Sequence, residues 1–600
     1  MKTHQPLFAG RRFIYILIFL TLFAILYYNL TPFISLDGWW HMKYGEYFLK
    51  NGNPVIYDPF AIQTAKKIFA PYPNLVPGIL FFKIFNQASF LGLNLFRIFL
   101  FLSFITTLIF LVRKNHYFPC LLLQIIILTY AMTGSVVLRP DLFNFLFFTL
   151  WICCLEKFSE NPGSNKLFAG LILLEIIWVN THPLFFYYGW FIGVVYFGWI
   201  IAAARKSGLI SPAARTKGKL FIFYSLGIGL AWLLNPLGWK ALAALIVNML
   251  NSGYNPGSVR LFSDSLTALN TYGYFLIFIM FLFQKPWLLP IAKIEKYKYA
   301  VLFILVLLPA LVYARCLPFP VIFIILLQGQ GKTGRLHQSK ILSSPVFSIL
   351  VMAGCLLLIT ERNQLLLPRV IGWANAKLGV HIGLYYYAKG IGVSEVNPDE
   401  YYREITILNR LAEAGNCTSN NLAIASGAVW FCPDKPFFWY GHAAVINDRF
   451  PELRTFLYDL AKGNIGATEY FIKKYDIRTV ILTYCNQIYF KRCQQFHENF
   501  DLLYMDPVTA IFVRKGSITD KQKQKIKEFF TDFLPTSTDS LRFSSHDRVM
   551  QYLYLWFSAE ITGNDGSFYQ IQARRYISLY HIRQFEKMVL PIIYSHRLSN

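Results

Sequence analysis

Ser35-Leu36-Asp37-Gly38-Trp39-Trp40-His41 follows directly on an apolar run from about Phe13 to Phe33. A run of that length is long enough to anchor a chain in a bilayer. Tryptophan belongs where the bilayer meets water, because its ring is apolar and its N–H is wet. A carboxylate and an imidazole at that depth are costly unless they are paired or useful. The stretch reads as the point where a membrane-embedded chain surfaces carrying reactive groups.

Upstream, Lys2, Arg11 and Arg12 precede the apolar run and no small-residue cleavage site follows it, which predicts a retained anchor. Downstream, apolar runs of spanning length recur to about residue 360 and then stop. Eleven spans are predicted, at roughly 13–33, 91–112, 117–137, 142–158, 167–180, 184–204, 219–235, 271–284, 299–313, 316–330 and 345–360. With the N-terminus in the cytoplasm, the inside segments hold nineteen Lys and Arg and the short outside turns hold only Arg139 and Arg315. That is the charge asymmetry that orients membrane proteins. The alternation requires that 75–88 does not cross; Pro71, Pro73 and Pro77 and its short length favour a helix at the outer surface. The predicted fold is an α-helical polytopic membrane domain over residues 1–360, with a first extracytoplasmic loop at 34–90. An extracytoplasmic α/β domain (361–518) and a helical appendage (519–600) follow.

Composition agrees with the membrane reading. Of 600 residues, 55% are hydrophobic and only 15% charged, against about 25% charged in soluble domains. The net charge of +25 does not indicate nucleic acid as partner: the basic residues gather in short loops, and no zinc-finger or RNA-binding pattern accompanies them. Anionic lipid head groups are the natural counter-charge.

Cys120, Cys153, Cys154, Cys316 and Cys355 lie in apolar runs and read as inert buried thiols. Cys417, Cys432, Cys485 and Cys493 lie in the polar part, and Cys417–Cys432 with Cys485–Cys493 is the sequence-local pairing. Disulfides fit an oxidising compartment, with free thiols as the equal alternative. The runs 422–425, 479–483 and 510–513 read as strands, 401–414 and 451–462 as helices, and Asp506-Pro507 as a hairpin turn.

The topology brings Asp37, His41, Glu46, Asp58, Arg139, Asp141, His182 and Arg315 to the outer face. Trp39 to Leu49 reads as an amphipathic helix, with Trp40, Tyr44, Tyr47 and Phe48 at i, i+4, i+7 and i+8. It ends at Asn51-Gly52-Asn53-Pro54. Each polar group has a structural alternative beside a chemical one. Asp37 also suits a helix N-cap, and Asp58 a turn before Pro59. Arg139 either pairs with Asp141 or holds a phosphate in its bidentate fork. Asn180 and His182 break an apolar run and face a cavity or a hydrogen-bonded kink. Asn235-Pro236-Leu237-Gly238 is most simply a turn. Arg97 lies deeper, inside the second span. No phosphate-cradling glycine loop, HExxH zinc pattern or GxSxG elbow is present.

Taken in order, Asp37-Gly38-Trp39-Trp40-His41, Gly45, Gly52-Asn53-Pro54, Asp58-Pro59-Phe60, Arg139-Pro140-Asp141-Leu142-Phe143, Trp178-Val179-Asn180-Thr181-His182 and Leu234-Asn235-Pro236-Leu237-Gly238 resemble bacterial inner-membrane proteins related to the GT-C glycosyltransferases. The resemblance covers about residues 10–330 and, more loosely, 420–515. It implies a membrane lipid environment and a polyprenyl-phosphate-linked sugar donor. It implies that Asp37 is the catalytic acidic residue. His41 and Asp58 are the further catalytic candidates, and Arg97, Arg139, Asn180, His182 and Arg315 the candidate lipid-phosphate or substrate contacts. A divalent metal (Mg or Mn) is the one candidate cofactor. Ser35 and Leu36 stand where many relatives carry a second acid, so an Asp-x-Asp metal pair is missing. The alternatives are a transporter or flippase for a lipid-linked or small polar substrate, and a non-catalytic scaffold. A transporter is expected to carry mid-membrane polar residues on broken helices.

Overall fold

A computed structural model describes, apart from single residues within them, residues 36–62, 68–112, 138–160, 164–183, 188–198, 231–243, 293–312, 316–329, 403–410, 415–483, 499–505 and 509–517, together with a few isolated positions; the predicted turn at Asp506-Pro507 lies outside them. The predicted spans 13–33, 271–284 and 345–360, Arg315, Cys485, Cys493 and nearly all of 519–600 lie outside the described residues. The chain divides into two units: Met1–Ile56, Pro71–Trp373 and Gly390–Glu395 form the first, and Tyr57–Ala70, Ala374–Lys389 and Val396–Asn600 the second.

The first unit is helical. Its described helices are α1 (Leu36–Asn51), α2 (Leu75–Val112), α3 (Asp141–Glu160), α4 (Asn165–Thr181), α5 (Lys293–Val312) and α6 (Pro318–Gly329). Among the described residues, α2 is the one helix long and apolar enough to cross a membrane. It is broken at Ala88 and Ser89, where Ser89 has φ 49° and ψ −149°. A non-glycine residue there leaves the helical region and bends the chain, so α2 is two helices, 75–87 and 90–112. The predicted surface helix and the predicted second span meet at this break.

Helix α1 starts three residues earlier than the amphipathic pattern predicts. Asp37 sits in its first turn and Lys50 in its last, each sign matched to the helix dipole. Glu46 receives both Lys43 (2.8 Å) and Lys50 (2.5 Å) on the exposed side. Burial acts against its charge, but the two lysines outweigh it and hold the carboxyl below its ordinary range. Gly52, at φ +71°, ends the helix in the left-handed conformation that glycine adopts without strain. The helix is not a plain interfacial anchor. Trp39, Trp40, His41, Met42 and Tyr44 are all buried. The reason is a glycine crossing: a Cβ on Gly45 would lie 2.1 Å from the Gly78 carbonyl oxygen, so only two glycines let α1 and α2 pack backbone to backbone.

Phenylalanines fill the spaces between α2, α3 and α6: Phe143 faces Phe81 and Phe96, and Phe319 meets Phe145 and Phe148. Phe99, Phe110 and Leu173, by contrast, are exposed.

The second unit is α/β. Its described elements are α7 (Arg403–Arg410), β1 (Asn416–Ser419), α8 (Leu422–Phe431), α9 (Ala443–Lys462), α10 (Ile465–Lys474), β2 (Ile477–Thr483), β3 (Phe500–Met505) and β4 (Thr509–Arg514). The sheet order is β1-β2-β4-β3; β1 runs parallel to β2, and the other pairs are antiparallel. The predicted strand at 422–425 is instead the start of α8. Its buried residues Ile424, Ala425, Ala428, Val429 and Cys432 recur at helical spacing, and the apolar run is too long for a buried strand. The strand that pairs with β2 is the preceding polar Asn-Cys-Thr-Ser, which the alternation rule passes over.

The segment 57–70 belongs to this unit. Ala61 bridges Phe437, Ile62 N–H donates to the Phe437 carbonyl (3.0 Å), and Arg449 donates to the Ile62 carbonyl (3.3 Å). Cys417 and Cys432 are both buried free thiols, the second of the two alternatives the sequence left open for them. Each is turned to a different backbone carbonyl, Gly415 at 3.4 Å and Ile405 at 3.5 Å. Burial pushes the Cys417 thiol up to about 12 and the Cys432 thiol up as well.

Candidate functional site

The first turn of α1 sets the site. Asp37 is half-exposed, and Trp40, one turn on, reaches back with its indole N–H to Asp37 Oδ1 (3.4 Å). Arg139 Nε lies 3.0 Å from Asp37 Oδ2. Arg139 is placed by the turn into α3, where Leu142 N–H donates to the Arg139 carbonyl (3.1 Å) and Phe143 N–H to that of Pro140 (3.2 Å). The proline fixes the turn and puts Arg139 and Asp141 on different neighbours. Arg139 goes to α1; Asp141, in the first turn of α3, goes to α4, with its Oδ1 3.6 Å from His182 Nε2.

His182 closes α4, its N–H donating to the Trp178 carbonyl (2.8 Å). Its other ring nitrogen, Nδ1, is 2.9 Å from Asn144 Nδ2, and Asn144 Oδ1 accepts from Trp178 Nε1 (2.7 Å). Asp37 and Arg139 thus form one ion pair, and Asp141, His182, Asn144 and Trp178 form a separate polar chain between α3 and α4, the two being joined in sequence by the Arg139-Pro140-Asp141 turn. Asn180 is outside it: its amide donates to the Ile176 carbonyl (2.8 Å) of its own helix.

His41 points elsewhere. Its Nδ1 is 2.7 Å from the Tyr72 hydroxyl, and its ring lies against Trp40 with centroids 3.8 Å apart. Tyr44 packs on Tyr72 at 4.8 Å. Burial raises the Tyr72 phenol well above its usual value, so it stays a neutral partner for the imidazole. Asn235 ties its turn to this region, donating to the carbonyls of Pro73 (3.2 Å) and Val179 (3.4 Å). Arg97 is buried on the same stripe of α2 as Asn94, Leu93 and Phe101.

Asp58 has a structural task in the second unit. It accepts from Phe60 N–H (2.9 Å), making the turn before Pro59, and from the Tyr440 hydroxyl (2.6 Å). Among the described residues no group of three or more His, Cys, Asp or Glu converges as a metal site. At Asp37 the donor set is one carboxylate held by a guanidinium and an indole, which does not suit a hard divalent cation that wants several oxygens.

Sequence reasoning missed Tyr72, Asn144 and Trp178. Asn144 is one turn along α3 from Asp141, and Trp178 one turn back along α4 from His182. That helical spacing is the signal that finds them.

No family model and no curated protein matches the chain. Among solved structures it is similar to the archaeal oligosaccharyltransferase AglB from Archaeoglobus fulgidus in complex with an inhibitory peptide and a dolichol-phosphate. The two share 9% sequence identity with a TM-score of 0.44, over 79% of this chain and 69% of that one. A likeness of that size carries no argument about what this chain does.

Proposed function

We propose that the protein is a membrane glycosyltransferase, moving a sugar from a polyprenyl-phosphate-linked donor to an acceptor on the outer leaflet of a bacterial inner membrane. The observation that carries this reading is the Asp37–Arg139 contact: a partly exposed carboxylate and a guanidinium 3.0 Å apart at the predicted outer end of the helices. Asp37 accepts the proton of the acceptor hydroxyl as its oxygen bonds to the anomeric carbon. The bond from that carbon to the phosphate oxygen breaks, and the electron pair leaves with the polyprenyl phosphate. Arg139 neutralises the developing charge with a fork that matches phosphate geometry. A single displacement inverts the anomeric centre. Arg97 and Arg315 are the further candidate cations. Asp58 is left out of the proposed catalytic set because its Oδ1 accepts from both its own turn and Tyr440.

The test is mass spectrometry of envelope glycans in a strain carrying Asp37→Asn, beside a full deletion. The reading expects the two profiles to match. An altered deletion profile with an unchanged Asp37→Asn profile overturns catalysis by this carboxylate.

One observation favours the alternative of a transporter or flippase. Glu175, in the middle of α4, is fully buried, and among the described residues neither of its carboxyl oxygens has a hydrogen-bond partner. It fits against Gly189, where a Cβ would lie 2.6 Å from Glu175 Oε2. Buried acids in membrane helices mark ion and proton pathways. A Glu175→Gln strain that reproduces the deletion, beside a silent Asp37→Asn strain, supports the carrier over the enzyme.

A further inference from the structure

The polar chain Asp141–His182–Asn144–Trp178 has a direction, and that direction fixes a proton. We infer that Asn144 and Trp178 are positioning residues that lock His182 in one tautomer, with its proton on Nε2 and its Nδ1 acting only as an acceptor.

The inference starts from the group with no choice. An indole N–H donates and never accepts. Trp178 Nε1 lies 2.7 Å from Asn144 Oδ1, so the carbonyl end of that amide belongs to Trp178. The amide NH2 is thereby turned to His182 Nδ1 at 2.9 Å. An amide NH2 only donates, so Nδ1 must offer its lone pair. A neutral imidazole carries one N–H, which is then on Nε2. Nε2 faces Asp141 Oδ1, and a carboxylate only accepts. At 3.6 Å this last contact is too long for a hydrogen bond and is electrostatic.

The opposite arrangement is costly. With a proton on Nδ1, the ring sets an N–H against the amide NH2. Turning the amide over relieves that clash but sets the NH2 against the indole N–H. Asn144, Trp178 and His182 are all buried, so bulk water offers little compensation. The groups are held in place independently of their hydrogen bonds. Trp178 packs its edge on Trp151 (centroids 6.2 Å, 73° between planes) and beside Phe147 (6.1 Å). Asn144 and Asp141 are one turn apart on α3, and Trp178 and His182 one turn apart on α4, so two adjacent helices supply alternate members.

The chemical consequence is specific. His182 is not a fixed cation for a phosphate and not a proton shuttle. It is a neutral hydrogen-bond donor through Nε2, on the side where Asp141 stands. General-base duty is left to Asp37. The use of this donor on a leaving phosphate rests on the glycosyl-transfer reading; the tautomer does not, and its test is separate from the glycan assay.

The experiment is solid-state NMR of the full-length protein in lipid bilayers with 15N-labelled histidine, the His182 signals being assigned by their loss in His182→Gln. At neutral pH the wild type is expected to show Nδ1 as an unprotonated nitrogen and Nε2 as a protonated one. Trp178→Phe releases the amide, and a second population with Nδ1 protonated is expected to appear. Asn144→Asp presents an acceptor to both neighbours and is expected to make the protonated Nδ1 the majority form. A wild-type spectrum with Nδ1 protonated overturns the inference whether or not the variants fold. So does a Nδ1 signal that stays unprotonated in both variants.

Discussion

Replacing Gly45 by alanine tests the crossing on which the site is built, because local and tertiary effects have opposite signs. In a helix interior, alanine is favoured over glycine by about 1 kcal/mol. At Gly45 the new Cβ falls 2.1 Å from the Gly78 oxygen, 2.2 Å from its carbonyl carbon and 2.6 Å from Ile79 N, all of them backbone. Non-bonded heavy atoms rest about 3.5 Å apart, so α1 and α2 must separate by more than about 1 Å. Overpacking of this kind costs about 1–3 kcal/mol. The same separation stretches the 2.7 Å His41–Tyr72 contact, worth about 1 kcal/mol. After the propensity gain, α1 is expected to lose about 1–3 kcal/mol. Hydrogen exchange of α1 amides in lipid nanodiscs reads this directly, as a roughly 5- to 150-fold faster local opening, since each 1.4 kcal/mol is tenfold. Gly170→Ala in α4 is the control: a Cβ there meets nothing within 4 Å, so only propensity acts and exchange is expected to slow. If Gly45→Ala also slows exchange, the backbone-to-backbone crossing is refuted.

Three further outcomes are expected. Tyr72→Phe leaves the buried His41 Nδ1 without its hydroxyl and should weaken α1 by about 1–3 kcal/mol in the same exchange assay; an unchanged pattern removes that contact from the site. In the second unit, burial takes the His442 imidazole from 6.5 down to about 3. Its unfolded form therefore binds a proton first, and stability is full above pH 6.5 and falls as pH drops toward 3, by about 1.4 kcal/mol per pH unit. His442→Phe should flatten that slope in urea titrations of the second unit followed by exchange, and an identical slope refutes the assignment. Cys417 and Cys432 should resist maleimide in the folded protein and react fully on denaturation without reductant, read by intact mass; a need for reductant would show a disulfide.

The apolar helices were legible because hydropathy alone specifies them, and the break at Ala88-Ser89 was legible in the run of prolines and the length mismatch before it. The 3.0 Å contact of Asp37 with Arg139 agrees with the expectation that the two share one face. What sequence could not show was direction. His41 and Asp37 are four residues apart, roughly one turn, yet one faces Tyr72 and the other Arg139, because the Gly45–Gly78 crossing fixes how α1 is rotated. Asp58 read as one of a set of outer-face acids. Its true partner, Tyr440, is 382 residues away and has no local signal. The polar strand β1 was missed for a related reason: Thr418 and Ser419 are buried by pairing with Val480 and Ile481 of β2, which hydrophobic alternation does not register.

The uptake of residues 57–70 by the second unit makes that unit discontinuous in sequence. A fragment beginning at residue 396 would leave the Phe437 backbone without the Ile62 and Ala61 edge, Arg449 without the Ile62 carbonyl, and Tyr440 without Asp58. Anyone dissecting the molecule should therefore graft the short excursion between Ile56 and Pro71 onto the carboxy-terminal half before asking what that half does alone.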